Sequence, residues 1–176
     1  MAEPLLVAAP KGLPESGARA VIGRSLFDGT FPLPVAVLRD DALTANIATM
    51  ARFTDDAGAL LAPHAKTTMS PQIVARQLDA GAWGMTAATA WQAARVAEMG
   101  VDRIVLANEV TDPGSLRLLQ DLLDARPDLT VWAYADSVDS LAALDSVAPQ
   151  RPGSLRILIE LGFPGGRTGV RSPAQA

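Results

Sequence analysis

Lys66 and His64 stand two residues apart in Pro63-His64-Ala65-Lys66-Thr67-Thr68, and both are rare types in this chain. His64 is the single histidine, and of fifteen basic residues only Lys11 and Lys66 are lysines. A lysine amine can join a carbonyl compound as a Schiff base if it is partly neutral near pH 7, and desolvation in an apolar site provides that. Arginine cannot replace it, because it stays protonated. The plainer alternatives are a solvated charge at a strand end and a hydrogen-bonded structural histidine. Strand alternation puts His64 and Lys66 on one face and Ala65 on the other.

A second constellation follows in Leu161-Gly162-Phe163-Pro164-Gly165-Gly166-Arg167-Thr168-Gly169-Val170. Closely spaced glycines let backbone approach a ligand, and Arg167 offers a fixed donor fork for an anionic or phenolic oxygen. Its alternative is a flexible surface loop. No Gly-Lys-Ser/Thr follows, so it is not a phosphate-binding P-loop. Asn108-Glu109 and Tyr134-Ala135-Asp136 are further pocket candidates at strand ends, although Asp136 also reads as a helix N-cap. Trp83 and Trp91 read as core or helix–sheet packing. Neither a His/Asp/Glu cluster with metal spacing nor a Ser/His/Asp nucleophile set can be built here.

The elements that position these residues alternate. Residues 1–30 read as an N-terminal arm with a short helix near 19–26. A strand at 35–38 is followed by a helix from Asp40 or Asp41, with Leu43, Ile47, Met50 and Phe53 at helical spacing. Further strands are expected at 60–65, 83–87, 103–107, 129–133 and 155–161. Between them lie helices that run from Pro71, capped by Ser70, to Gly81, and over 89–98, from Asp112-Pro113 to before Pro127, and over 138–147. Strands alternating with helices mean a parallel sheet, with strands nearly continuous in apolar residues as if buried on both faces. The turn after 35–38 lacks dinucleotide-binding glycines, which favours a (β/α)8 barrel over a doubly wound sheet. On either strand order, Lys66 and Arg167 fall on the C-terminal rim, where barrel enzymes gather their catalytic side chains.

Composition narrows the class. With 176 residues, 49% hydrophobic and 19% charged, the chain can build a real core. A net charge of −4 with scattered arginines argues against nucleic acid as partner. There is no cysteine, no apolar run of bilayer length and no signal-peptide pattern, so a cytoplasmic protein without membrane attachment is expected.

Taken in order, Pro63-His64-Ala65-Lys66-Thr67, Pro71, Gln77-Leu78-Asp79-Ala80-Gly81-Ala82-Trp83-Gly84, Leu106-Ala107-Asn108-Glu109 and Gly165-Gly166-Arg167-Thr168-Gly169-Val170 resemble the fold-type III pyridoxal-phosphate enzymes. The resemblance covers roughly residues 31–171. It is nearest to the amino-acid deaminase, D-serine dehydratase and D-threonine aldolase group, with alanine racemase a more distant relative. It implies an α/β fold, the N-terminal portion of a pyridoxal-phosphate-binding (β/α)8 TIM barrel like the alanine racemase N-terminal domain. Residues 31–176 would form that partial barrel, with the rest of the barrel and a β-rich domain missing from a truncated chain.

The implied cofactor is pyridoxal 5'-phosphate, bound as a Schiff base to Lys66, with His64 beside it and Arg167 on its phenolic oxygen. A divalent metal occurs in the full-length family, but this chain offers it no ligands. The implied activity is a lyase acting on small D-amino acids, of the deaminase or D-serine dehydratase type. D-threonine aldolase or racemase activity, and a non-catalytic pyridoxal-phosphate-binding protein, are the alternatives. A homodimer is implied for the full-length form. Many D-threonine aldolases continue the lysine motif with His-Lys, where Thr68-Met69 stands here, which favours the deaminase branch.

Overall fold

A computed structural model describes residues 21–147, 149–172 and 174. The chain divides into two compact units, residues 1–44 and residues 45–176. In the first unit, the expected strand at 35–38 does not form. Val37 and Leu38 are exposed, and the prolines at 32 and 34 leave that stretch short of backbone donors. Of the expected helix near 19–26, residues 19 and 20 lie outside the described residues, and only a single turn begins at Val21. Helix α1 (Asp40–Asp56) starts on two acidic residues that complement its N-terminus. It forms as its spacing predicts, yet buries none of its apolar stripe.

The second unit takes in the rest of α1, from residue 45 on, and continues as a repeat of strands and helices. In chain order it holds α2 (Pro71–Asp79), β1 (Met85–Ala87), α3 (Ala90–Glu98), β2 (Arg103–Glu109), α4 (Pro113–Ala125), β3 (Thr130–Ala135), α5 (Val138–Asp145) and β4 (Leu155–Ile159). All pairings are parallel, and the order β1-β2-β3-β4 follows the sequence. A doubly wound sheet reverses its strand order at a switch point. This sheet does not, and it has the sequential winding of a barrel.

Helix starts obey local chemistry. Ser70, Thr89, Asp112 and Ser137 each accept a backbone N–H from the first turn, and Pro71 and Pro113 occupy positions that need no donor. The cap of α5 is Ser137, in a reciprocal capping box with Ser140. Asp136 is therefore not the cap and is left for another task.

Period-two alternation divides the sheet. Ile104, Leu106, Val131, Ala133 and Ala135 are buried beneath α3, α4 and α5 with Val96, Leu119 and Leu144. On the opposite face a register row runs through Thr86, Val105, Trp132 and Arg156. That face is not buried as the apolar runs suggest: Val105 and Trp132 are half-buried and Arg156 is exposed. Helices cover one face only, so the second behaves as the lining of a barrel. There Trp83 meets Trp132 at 4.6 Å between ring centroids, and Arg103 and Arg156 lie over the two rings at 5.7 and 5.4 Å. Trp91, expected to pack, is instead 59% exposed. It follows the cap on the outer side of α3, whose buried face is Ala90, Ala93, Ala94, Val96 and Ala97.

Gly84 marks a close approach between neighbouring strands. A Cβ there would collide with the carbonyl oxygen of Arg103. Gly84→Ala should therefore cost about 1–3 kcal/mol through overpacking, read as a lower urea midpoint at unchanged m-value.

Candidate active site

Lys66 owes its place to the extended segment before α2. Trp83 N–H donates to the Leu61 carbonyl at 2.8 Å, Thr86 N–H to Pro63 at 2.7 Å, and Ala65 N–H to Thr86 at 2.9 Å. These bonds lay the segment alongside β1, but Pro63 has no N–H to give, so the expected strand at 60–65 reduces to one parallel bridge, His64 to Thr86. Alternation then acts as the sequence implies. Ala65 is buried against the helices, while His64 shares the register row of Thr86 on the barrel-lining face and Lys66 follows at the rim. Both His64 and Lys66 are exposed. The desolvation that Schiff-base chemistry asks of the lysine is therefore not supplied by this chain alone.

Directly after Lys66 the chain closes a tight turn. Met69 N–H donates to the Ala65 carbonyl at 2.9 Å, and Met69 takes the left-handed conformation at φ 47°. Its side chain packs against the core, which holds the turn down. Ser70 then starts α2. Lys66 thus projects from backbone pinned on both sides, and its amine is engaged in no ion pair among the described residues.

Arg167 lies at the other end of the strand order, in the loop that follows β4. That strand stops at Ile159 rather than 161 because the chain turns back on itself. Val170 N–H donates to the Glu160 carbonyl at 2.9 Å, and Gly162 N–H to the Val170 carbonyl at 2.9 Å. Thr168 hydroxyl donates to Glu160 Oε1 at 2.8 Å, Gly169 N–H to Asp136 Oδ2 at 3.2 Å, and Arg171 to the carbonyls of Gly166 and Thr168 at 3.0 and 2.6 Å. The loop is anchored, not a loose surface excursion. Arg167 itself is exposed. The structure puts Lys66 and Arg167 on one rim, with the whole four-stranded sheet between them.

Between the two lie three carboxylates. Glu109 reaches the barrel-lining face through an irregularity in β2: Leu106 pairs with Ala133, but Glu109 pairs with Tyr134. Asp136 follows β3 and Glu160 follows β4. Burial, a hydrogen bond with Glu160 and repulsion by Glu160 and Asp136 push the Glu109 carboxyl up to about 7, against a smaller lowering by its own backbone. Glu160 escaped the sequence reading. Counting in twos from Arg156 along β4 would have put Leu158 and Glu160 on the lining face. Among the described residues, no group of three or more His, Cys, Asp or Glu side chains has the geometry of a metal site.

A primary amine on fixed backbone and a guanidinium fork carried on an anchored loop suit a cofactor with a carbonyl carbon and an anionic oxygen. The donor set fits pyridoxal phosphate.

Comparison with known proteins agrees. The alanine racemase N-terminal domain model matches residues 38–176, and the chain belongs to that family, a pyridoxal-phosphate-dependent one. It is 31% identical over 141 residues to the D-threo-3-hydroxyaspartate dehydratase of Delftia sp. (strain HT23) and 29% identical over 141 residues to a D-threonine aldolase of Arthrobacter sp. Each alignment covers 80% of this chain and 36% of the relative. The crystal structure of D-threonine aldolase from Filomicrobium marinum superposes with a TM-score of 0.72 at 26% identity, covering 80% of this chain and 37% of that one. The chain thus spans little more than a third of the length of these relatives.

Gly169 tests the anchoring of the loop. It has φ +90°, and a Cβ would meet Gly162 N at 2.5 Å and Glu160 O at 2.9 Å. Gly169→Ala should lower hydrogen-exchange protection of the Gly162 and Val170 amides about tenfold or more, the effect of roughly 1–3 kcal/mol of backbone strain. Amides of Leu106 and Ala133 should keep theirs.

Proposed function

We propose that this chain forms the cofactor-holding part of a pyridoxal-phosphate-dependent lyase acting on D-amino acids with a β-hydroxyl group, of the dehydratase or deaminase type. The observation that carries this reading is the placement of Lys66: a projecting amine at the rim of a sequentially wound parallel sheet, in a chain of this family. Lys66 Nζ would hold the aldehyde carbon of the cofactor, and Arg167 would donate to its phenolic oxygen. His64, one alternation below Lys66 and bridged to Thr86, would line the same site.

Pyridoxal phosphate, when bound, withdraws electrons from the Cα of an amino acid attached to it. This chain's part is to hold and to move a proton. The Lys66 amine, when not holding the cofactor, would accept the Cα proton at Nζ. The Lys66 ammonium would return that proton to the β-hydroxyl, which would leave as water.

The turn behind the lysine favours loss of the hydroxyl. Neither Thr68 nor Met69 carries a titratable group, so the turn brings no second acid or base beside Lys66. Aldol cleavage is the second reading, supported by the D-threonine aldolases among the similar proteins. A homodimer and a cytoplasmic location complete the proposal.

Two measurements test it. Affinity for pyridoxal phosphate, read from quenching of the tryptophan fluorescence, should fall about tenfold or more in Arg167→Gln, since a hydrogen bond to a charged group contributes about 1.5–3 kcal/mol. Arg39→Gln should leave it unchanged. With D-threonine added, a 2-oxo acid and ammonia support dehydration. Glycine and acetaldehyde would shift the assignment to the aldolase branch.

A further inference from the structure

The Arg167 loop is fastened to the sheet by carboxylates, and those carboxylates do not have enough donors. Glu160 Oε1 is taken by the Thr168 hydroxyl, and Asp136 Oδ2 by the Gly169 N–H. That leaves Glu160 Oε2 and Glu109 Oε1 buried with no donor from the described residues. Two ionised carboxylates cannot satisfy each other, since both only accept. One proton placed between them removes both the vacancy and the repulsion. A buried acceptor left without a donor costs free energy, and so do two adjacent like charges.

We propose that Glu109 and Glu160 share one proton and act as a pH-sensitive latch that positions the Arg167 loop. In the closed form Glu109 donates to Glu160 Oε2. Glu160 is thereby held where its other oxygen accepts from Thr168, while Asp136 takes the next backbone N–H. Loss of the shared proton puts two charges side by side with Asp136 as a third. Glu160 then moves away from Glu109, and the Thr168 anchor goes with it.

The surrounding groups reinforce this direction. From β3, Tyr134 and Asp136 face Glu109; from the end of β4, Glu160 faces it; from the loop come Thr168 and Arg171, the latter held on loop carbonyls. The charges that act on Glu109 are both acidic, and its carboxyl stands near 7. A carboxyl raised in the folded state stabilises that state fully below its ordinary value, and the stabilisation is lost as pH rises through the raised one. The latch is therefore closed in mild acid and opens as pH climbs past about 7. Glu160 and Asp136 are positioning residues here, acting through the loop and not on substrate.

The latch can be tested on the chain without any cofactor, by following the Thr168 and Gly169 amides and the Glu109 carboxyl carbon by NMR from about pH 5 to about pH 9. All three should titrate together with a midpoint near 7. Glu109→Gln supplies a permanent donor and should leave the two amides flat at their low-pH positions. If Glu109→Gln does not fold, Glu160→Gln serves instead: the Glu109 midpoint should drop toward its ordinary value and the amides should stop responding. A Glu109 midpoint in the ordinary carboxylate range, or loop amides that titrate unchanged in these variants, would overturn the latch. Its consequence for cofactor rests on the reading of Arg167 given above. Affinity for pyridoxal phosphate should weaken above pH 7 in the unmodified chain and not in Glu109→Gln. Loop amides that titrate while affinity stays flat would uphold the latch and contradict the role of Arg167.

Discussion

Register in a parallel sheet is the constraint on which the rest of this structure depends. Because side chains alternate with a period of two, a strand that buries Ile104 and Leu106 under helices must turn Val105 to the other face. The next strand, in register, must do the same with Trp132. Because the strands are parallel, they also end on the same side. The helix-facing half of β1, β2 and β3 supplies the core, which leaves the lining face free for residues such as His64, Trp132 and Glu160. Their polarity costs the core nothing. Lys66 lies on that face because Ala65 is claimed by the core, and the backbone bonds to Thr86 permit no one-residue slip.

The rim also shows how a fold of this kind spends irregularity. β2 is regular while it packs against its neighbours and irregular where it brings Glu109 opposite Tyr134. Met69 adopts a left-handed conformation in the turn behind Lys66. Gly169 does so where the Arg167 loop crosses Gly162. Each departure sits at the end of a strand or just past it, and each places a polar side chain or holds the backbone behind one. The carboxylates of the rim then tie the loop to the sheet, so the position of Arg167 depends on the protonation of residues well before it in sequence.

Much of this was legible in the sequence, for reasons that can be named. Ser70-Pro71 and Asp112-Pro113 are helix starts that local hydrogen bonding decides, and they hold in the structure. Lys66 and Arg167 were visible because rare residue types and clustered glycines followed strand-like runs. Where the reading departed from the structure, the deciding forces were not local. Residues 35–38 have the composition of a strand but pair with no strand among the described residues. Pro63 interrupts a ladder that its apolar neighbours would otherwise complete. Trp91 reads as a packing residue because it opens a helix, whereas the small residues of α3 make the contact. Glu160 looks like any acidic residue until β4 is paired with β3 and its alternation is fixed.

On the proposed function, Lys66 and not the other lysine carries the cofactor. Because Lys11 is the chain's only other lysine, reduction with borohydride in the presence of pyridoxal phosphate, followed by peptide mass spectrometry, gives a direct reading. At a cofactor concentration near equimolar with the chain, the pyridoxyl mass should be found on the peptide containing Lys66, well in excess of Lys11 and the N-terminal amine. Equal labelling of all three amines, or labelling confined to Lys11 or the N-terminus, would contradict it.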